Sequence, residues 1–451
     1  MTNNEFSAIR IHNHLKESKY VKSAIFREEL IDFVKKTPVS LRDAYDCKMK
    51  EDIEACAMIS FKSIKSTLKR NRNQTIPYNP KNLKDIRLIG KSEAWRNALN
   101  FIIDDNMHTI SVDVQEVNSG YLVFLYDIKL LEMMKETVHF SLDATYYSRP
   151  NLKDAYQLLT IMGKFNNKFV PCVWVLMTNK TEESYLEVFK FVKKSIMKDF
   201  HVQSFMADYE LALQNAVHIV YPYCTIKGCF FHYVHNVRKY AKMLCIFKAL
   251  KNTKIETRIK GVILLRKILN LPLLPSFSMK LGYAIIKDSF NANEDLAAIH
   301  LLKKLFKYVE NFWLNKVDTN VLSVFKTEVR TNNNQERYHR SLNNLMKQRP
   351  KFYKFILKLQ DLITRSIVEI SQLKNNLNIK NSNRRRSDIN FDKWLEKGQI
   401  NLEKLELLDD DIKRHKVDEF LYTSVFKNER VLKEIKGIIK NKGKKTIKLF
   451  I

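Results

Sequence analysis

The chain has 451 residues, more than one hydrophobic core usually supports, so a catalytic domain with a helical elaboration and a smaller appendage is expected. Its 78 Lys and Arg stand against 49 Asp and Glu, and the resulting formal charge of +29 is interleaved with aromatic residues rather than gathered in one tail. That balance suits a folded surface for a polyanion better than a membrane-adsorbing segment, and the six cysteines (Cys47, Cys56, Cys172, Cys224, Cys229, Cys245) lack the spacing of a disulfide scaffold. The polar start MTNNEFSAIRIHNHLKESKY is unlike an export signal, and no apolar run approaches the roughly 20 residues that span a bilayer, so no membrane association is expected. Residues 1–75 read as a small helical domain: AIFREELIDFVKK has apolar residues at helical spacing, and SFKSIKSTLKRNRNQ pairs an apolar stripe with Lys62, Lys65, Lys69, Arg70 and Arg72. This is a candidate DNA-binding region. TIPYNPKN, with two prolines, opens a linker over 76–120.

From about residue 121 the pattern changes to strands. YLVFLYD, HFSLDATYY, YQLLTIMGKF and FVPCVWVLMT are rich in β-branched and aromatic residues, and the last two are separated by the turn-like Asn166-Asn167-Lys168. A helix (TEESYLEVFKFVKKSIMKDF), a strand (SFMADYE), a short helix and another strand (CTIKGCFF) follow, an alternation that implies parallel strands with crossover helices. The expected class is α/β (α+β): a ribonuclease-H-like mixed five-stranded sheet over residues 121–372, three antiparallel strands and then two parallel ones. Residues 232–325 read as an all-helical insertion, and 373–451 as a basic, partly ordered tail containing Asp409-Asp410-Asp411.

Two-metal phosphoryl chemistry needs converging carboxylates, because one ion activates the attacking oxygen while the other stabilises the leaving one. Asp143 interrupts an apolar strand, where a buried carboxylate is costly unless paired or ligating. Asp208 closes SFMADYE, and in a ribonuclease-H-like sheet these two strands are neighbours. The alternative for each is a strand-end cap or an ion pair with a lysine. No carboxylate occurs from Leu211 to Ile255, so the third acid must come from beyond the insertion, and Asp143-Ala144-Thr145 lacks the Asp-x-Glu of a proofreading exonuclease. Glu336 is the best candidate: in RTNNNQERYHRSLNNL, Thr331 or Asn332 can cap a helix on which Glu336, His339, Arg340 and Asn343 share a face. Glu328 is the next choice.

In order and with similar gaps, HFSLDATYYSRP, QLLTIMGKFNNKFVPCVWVLMTNKTEESYLEVF, FMADYELALQNAV, GCFFHYVHNVRK, NFWLNK and RTNNNQERYHRSLN resemble the Mutator-like element (MULE) transposases of animals, of the type that carries FLYWCH zinc fingers. The resemblance implies that Asp143, Asp208 and Glu336 are catalytic acids holding Mg2+ or Mn2+, that Cys229 and His232 form a Cys-x-x-His signature, and that Trp313 is an aromatic residue of the insertion. His232 either lies beside the acids, contacting substrate or orienting a ligand, or is a structural histidine at a strand-to-helix junction. With His339, Arg340 and Trp313 these residues are candidates for DNA binding or support of the site. Cys224-x4-Cys229-x2-His232-x2-His235 could suggest zinc, but strand alternation puts Cys224 and Cys229 on opposite faces, so four converging ligands are not expected. HNHLKES resembles only the last His-x-His of a FLYWCH finger, so His12 and His14 look like the remnant of a truncated finger with no zinc expected.

The expected function is therefore a DDE-type transposase that cleaves and joins DNA, working as a homo-oligomer on element ends and target DNA. The alternative is a domesticated or inactive relative that binds DNA or a partner protein without cutting. A DNA partner points to the nucleus, and Arg384-Arg385-Arg386 and KNKGKKTIK are candidate import signals.

Overall fold

A computed structural model describes residues 18–440 except 38, 76, 167, 292–298, 328, 332, 347–348 and 376–385. His12, His14, Glu328, Arg384, Arg385 and nearly all of KNKGKKTIK thus lie outside the described residues. The chain divides into two compact units, residues 1–79 with 88–98, and residues 80–87 with 99–451.

The first unit contains α1 (Ser18–Lys36), α2 (Leu41–Glu51), α3 (Ile53–Cys56), α4 (Phe61–Thr75) and most of α5 (Glu93–Leu99). Phe26, Leu30 and Val34 of α1 pack against Ala44, Tyr45, Ala55, Cys56, Ile64 and Leu68. The apolar stripe read from the sequence is this core. Of the five basic residues on α4, Lys62, Lys65, Lys69 and Arg70 are exposed, while Arg72 donates to Val34 O and Thr37 O and so ties α4 to the end of α1.

In the second unit eight strands form one sheet, rather than the expected five. They are β1 (Asn100–Ile103), β2 (Asn106–Val117), β3 (Gly120–Asp127), β4 (His139–Thr145), β5 (Gln157–Phe165), β6 (Lys168–Met177), β7 (Ser204–Ala207) and β8 (Thr225–Gly228), in the order β1-β2-β3-β6-β5-β4-β7-β8. Pairing is antiparallel from β1 to β4 across the order, and parallel for β4 with β7 and β7 with β8. The mixed arrangement is that of a ribonuclease-H-like fold. Residues 76–120, expected as linker, supply β1 and β2: the half-exposed alternation of NMHTISVDVQEV near the sheet edge concealed a strand twelve residues long.

Helices cover both faces. After β3 comes α6 (Ile128–Met133), capped by Asp127, which accepts from Leu130 N and meets buried His108 Nδ1 at 3.1 Å. On one face α7 (Glu182–Phe191), capped by Thr181, brings Phe191 to 4.4 Å from Phe124 and Phe189 to 6.1 Å from Phe205, and α8 (Leu211–Val220) joins β7 to β8.

Beyond β8 the described chain is helical: α9 (Phe230–Met243), α10 (Ile246–Lys251), α11 (Ile255–Asn270), α12 (Met279–Asn291), α13 (Ile299–Tyr308), a π-helical turn over Val309–Leu314 and α14 (Thr319–Leu322) build the insertion. Then α15 (Asn333–Met346) and α16 (Phe352–Lys374) return to the sheet, where Trp174 Nε1 donates to Tyr338 OH and Ser366 Oγ to Pro171 O. Because Trp174 pairs with Leu125, and Phe124 points the other way, α15 lies on the face opposite α7. The expected tail carries α17 (Arg386–Ile400), α18 (Asp410–Phe426) and α19 (Glu429–Lys440), and its Leu395, Leu402, Leu405, Phe420 and Leu421 complete the core of the insertion.

Candidate active site

The site forms where β4 and β7 end side by side. Their parallel register pairs His139 with Ser204 and Ser141 with Met206, and continuing it by two residues sets Asp208 beside Asp143. On β4 the buried Phe140 and Leu142 face α7, so Asp143 faces α15. Ala144 N donates to Asp143 Oδ1 at 2.8 Å. Past Asp208, Gln214 Nε2 on α8 donates to Asp208 O at 2.7 Å and holds the strand-to-helix turn.

The first turn of α15 is pinned over these strand ends. Gln335 Nε2, buried, donates to Ser141 O and Thr160 O, and Thr160 is the β5 partner of Asp143. One turn on, His339 Nδ1 approaches Asp143 Oδ2 at 3.3 Å, and another turn on, Asn343 accepts a short hydrogen bond from Ser148 Oγ. Glu336, His339 and Asn343 share the face turned toward β4, as their spacing suggested; Arg340 is exposed.

Burial and then the charge of Asp208, with Glu336 adding to it, push the Asp143 carboxyl up to about 7. Crowding of this kind is what a divalent cation would relieve. At present each aspartate faces a histidine. His232, in the first turn of α9, has Nδ1 at 2.7 Å from Asp208 Oδ1; burial opposes its charge, but Asp208 and Cys229 outweigh that and raise its pKa to about 11. Its cation sits at the positive end of a helix dipole, so Asp208 is the group that holds it there. His339 behaves oppositely: burial lowers it to about 4, against the pull of Asp208, so it is neutral at neutral pH. Its buried Nε2 has no hydrogen-bond partner among the described residues, which favours a proton on Nδ1, toward Asp143.

The oxygen donors of Asp143, Asp208 and Glu336 suit hard cations such as Mg2+ or Mn2+. Among the described residues, no group of three or more His, Cys, Asp or Glu side chains is placed so that it could hold a metal ion. Cys224 and Cys229 flank β8: Cys224 Sγ donates to Val202 O, while buried Cys229 begins α9 with its N–H on Ala207 O. His235 is exposed and stacks on Phe231.

Trp313 is wholly buried, with ring centroids 4.7 Å from Tyr209 and 4.9 Å from Tyr233, both edge on. It belongs to the core of the insertion and has no exposed surface. Neither Tyr209, whose ring occupies the space above Gly228, nor the Trp174–Tyr338 bond has a signature in the residue pattern. Arg149 has no such signature either: its Nε is buried without a hydrogen-bond partner among the described residues, and burial and then nearby Arg349 lower its pKa. Arg149 lies six residues beyond Asp143 and is repelled by Arg349, and a phosphate between two such guanidinium groups would neutralise both.

A mixed ribonuclease-H-like sheet with two aspartates at adjacent strand ends defines the class of the fold. A model of the MULE transposase domain matches residues 139–236, a span that includes Asp143, Asp208, Cys229 and His232 and ends before Glu336. The match supports a MULE transposase, and a transposase domain implies a DNA partner. No curated protein matches the chain. Among the described residues no helix is long and apolar enough to cross a membrane.

Proposed function

We propose that this chain is a DDE-type DNA transposase of the MULE class whose catalytic acids are Asp143, Asp208 and Glu336. The observation that carries the proposal is the placement of Asp143 and Asp208 on adjacent parallel strands inside the matched span, beneath a helix pinned so that Glu336 adds its charge to theirs. Mg2+ or Mn2+ held by these carboxylates would activate water and stabilise the leaving oxygen. His232 orients Asp208, and neutral His339 orients Asp143. Arg149 and Arg349 grip a phosphate beside the scissile bond, and the lysines and arginines of the insertion and of α4 hold the duplex backbone with little regard to sequence. Water attacks a phosphodiester at the element end, and the freed 3′-hydroxyl then attacks target DNA without a covalent protein intermediate. The same reading has the chain act on DNA as a homo-oligomer, with the nucleus as the compartment in which that DNA is met.

The test is nicking of a labelled duplex carrying the element's terminal repeat, with magnesium or manganese. Asp143→Asn, Asp208→Asn and Glu336→Gln should each lower cleavage by orders of magnitude, combined pairs should cost scarcely more than one, and duplex binding without metal should persist. Glu210→Gln should cut nearly as well as wild type. Full cleavage by Glu336→Gln would remove Glu336 from the site. Duplex binding without any cutting by wild type would favour an inactive, DNA-binding relative.

A further inference from the structure

The insertion carries a cleft that the catalytic chemistry leaves unused. Its volume is about 330 Å³, and its walls include Tyr240 of α9, Tyr308 of α13, Phe312 of the π-helical turn, and Lys304, Lys307 and Lys316. The rings are ordered: Tyr240 stacks on Tyr308 with centroids 4.1 Å apart and planes 20° apart, and Tyr308 lies parallel to Phe312 within 6° at 6.0 Å. Phe312 rests edge on against buried Trp313 at 5.0 Å, so the outward rings stand on a rigid base. A π-helical turn widens the spacing of outward side chains and is frequent at functional sites. The three lysines are exposed, and among the described residues no carboxylate lines the cleft.

We propose that this cleft takes one unpaired nucleotide of bound DNA, with the base against the Tyr240, Tyr308 and Phe312 rings and the flanking phosphates on Lys304, Lys307 and Lys316. Stacking on aromatic rings with lysines along the backbone is the chemistry of single-strand binding, and every base offers a face to it. A base inside a duplex has both faces covered by its neighbours, so the ring wall selects a nucleotide that has left the stack. Asn311, also in the wall, offers an amide to a base edge. Position supports the assignment: His232 and Tyr240 lie eight residues apart on α9, about 12 Å along its axis at the rise of an α-helix, so a strand held at Asp208 can reach the cleft. DNA as the occupant rests on the transposase reading.

The test uses the full chain and three labelled DNAs of one sequence: a paired duplex, that duplex with a single unpaired thymine, and the same with an abasic residue in its place. Wild type should bind the unpaired thymine more tightly than the abasic form. Tyr308→Ala should reduce that preference about tenfold or more while paired-duplex affinity holds within a small factor, and Tyr308→Phe should retain it. Lys304→Gln with Lys307→Gln should weaken binding and flatten its salt dependence. Equal binding of the thymine and abasic DNAs by wild type overturns the proposal, as does a folded Tyr308→Ala that keeps the preference. Should Tyr308→Ala fail to fold, exposed Lys307→Glu serves instead, and undiminished thymine binding by that variant overturns the proposal equally. Competition by free thymidine monophosphate at matching concentration would assign the cleft to a free nucleotide instead. Failure to bind even the paired duplex would sink the transposase reading, whereas duplex binding with no advantage for the thymine sinks only this inference.

Discussion

Trp174 Nε1 on β6 donates to Tyr338 OH on α15 at 2.6 Å, a bond between residues 164 positions apart, buried at both ends. Together with the Gln335 bonds to Ser141 O and Thr160 O, it sets the height and rotation of the helix that carries Glu336 and His339.

Tyr338→Phe should therefore act at a distance. It leaves the indole N–H buried without an acceptor, which costs about 1–3 kcal/mol. Thermal melting should show that loss, and metal-dependent nicking should fall further than duplex binding. Unchanged melting and unchanged nicking together would mean that α15 is positioned by other contacts.

The raised pKa of Asp143 fixes a sign. The folded chain keeps this proton up to about pH 7, whereas the unfolded chain releases it near 3.8. In that window the native state binds more protons, so its stability falls as pH rises from about 4 and levels off above about 7. Without metal, Asp143→Asn should gain on wild type at pH 8 relative to pH 5, by a few kcal/mol in order of magnitude. His232 contributes in the opposite chemical sense: its stabilising charge is complete below its unfolded value of 6.5 and fades toward about 11, a change shared by both proteins. Calorimetry should further show that Mg2+ or Mn2+ uptake by wild type strengthens up to about pH 7 with proton release. PH-independent uptake would mean that the ion does not bind through Asp143.

Much of this was legible in the sequence because burial on both faces leaves a loud signature. FVPCVWVLM is a continuous apolar run, and in HFSLDAT the single carboxylate stands out beside the buried Phe140 and Leu142. The helical spacing of Glu336, His339 and Asn343 likewise announced one face. What escaped was structure whose apolar content is sparse or whose partners are remote. β2 alternates polar and half-buried residues, and α17 and α18 lie in Asn-, Lys- and Arg-rich sequence where a few residues such as Leu395, Phe420 and Leu421 do the packing. Tyr338 looks like any helical tyrosine until Trp174 is placed beside it. Trp313 could be singled out, but its burial beneath Tyr209 depends on the whole insertion being assembled.

Gly228 closes β8 directly beneath that Tyr209 ring: a Cβ there would come within 2.2 Å of it. Gly228→Ala must push the tyrosine aside, and Tyr209 follows Asp208 in the chain. Nicking should fall at least tenfold while the paired duplex still binds, because the displacement reaches a carboxylate and not the basic surface. Full nicking activity in a folded Gly228→Ala protein would show that Asp208 tolerates movement of its neighbour.

Arg149 separates function from stability. Burial and the nearby Arg349 charge both oppose its own charge, so in the free protein it is a source of repulsion. Its buried Nε has no acceptor among the described residues, and a phosphate would supply one while neutralising the pair. Arg149→Gln keeps a polar side chain and removes the charge, so melting of the free protein should be unchanged or slightly higher. Duplex affinity should fall, and the slope of log affinity against log salt should become shallower by about one unit, as when a single phosphate contact is lost. The loss should be similar for unrelated duplex sequences, since a phosphate carries no base identity. An Arg149→Gln protein that melts lower and binds duplex with the wild-type salt slope would make the arginine a structural element and leave the phosphate beside Asp143 to other residues.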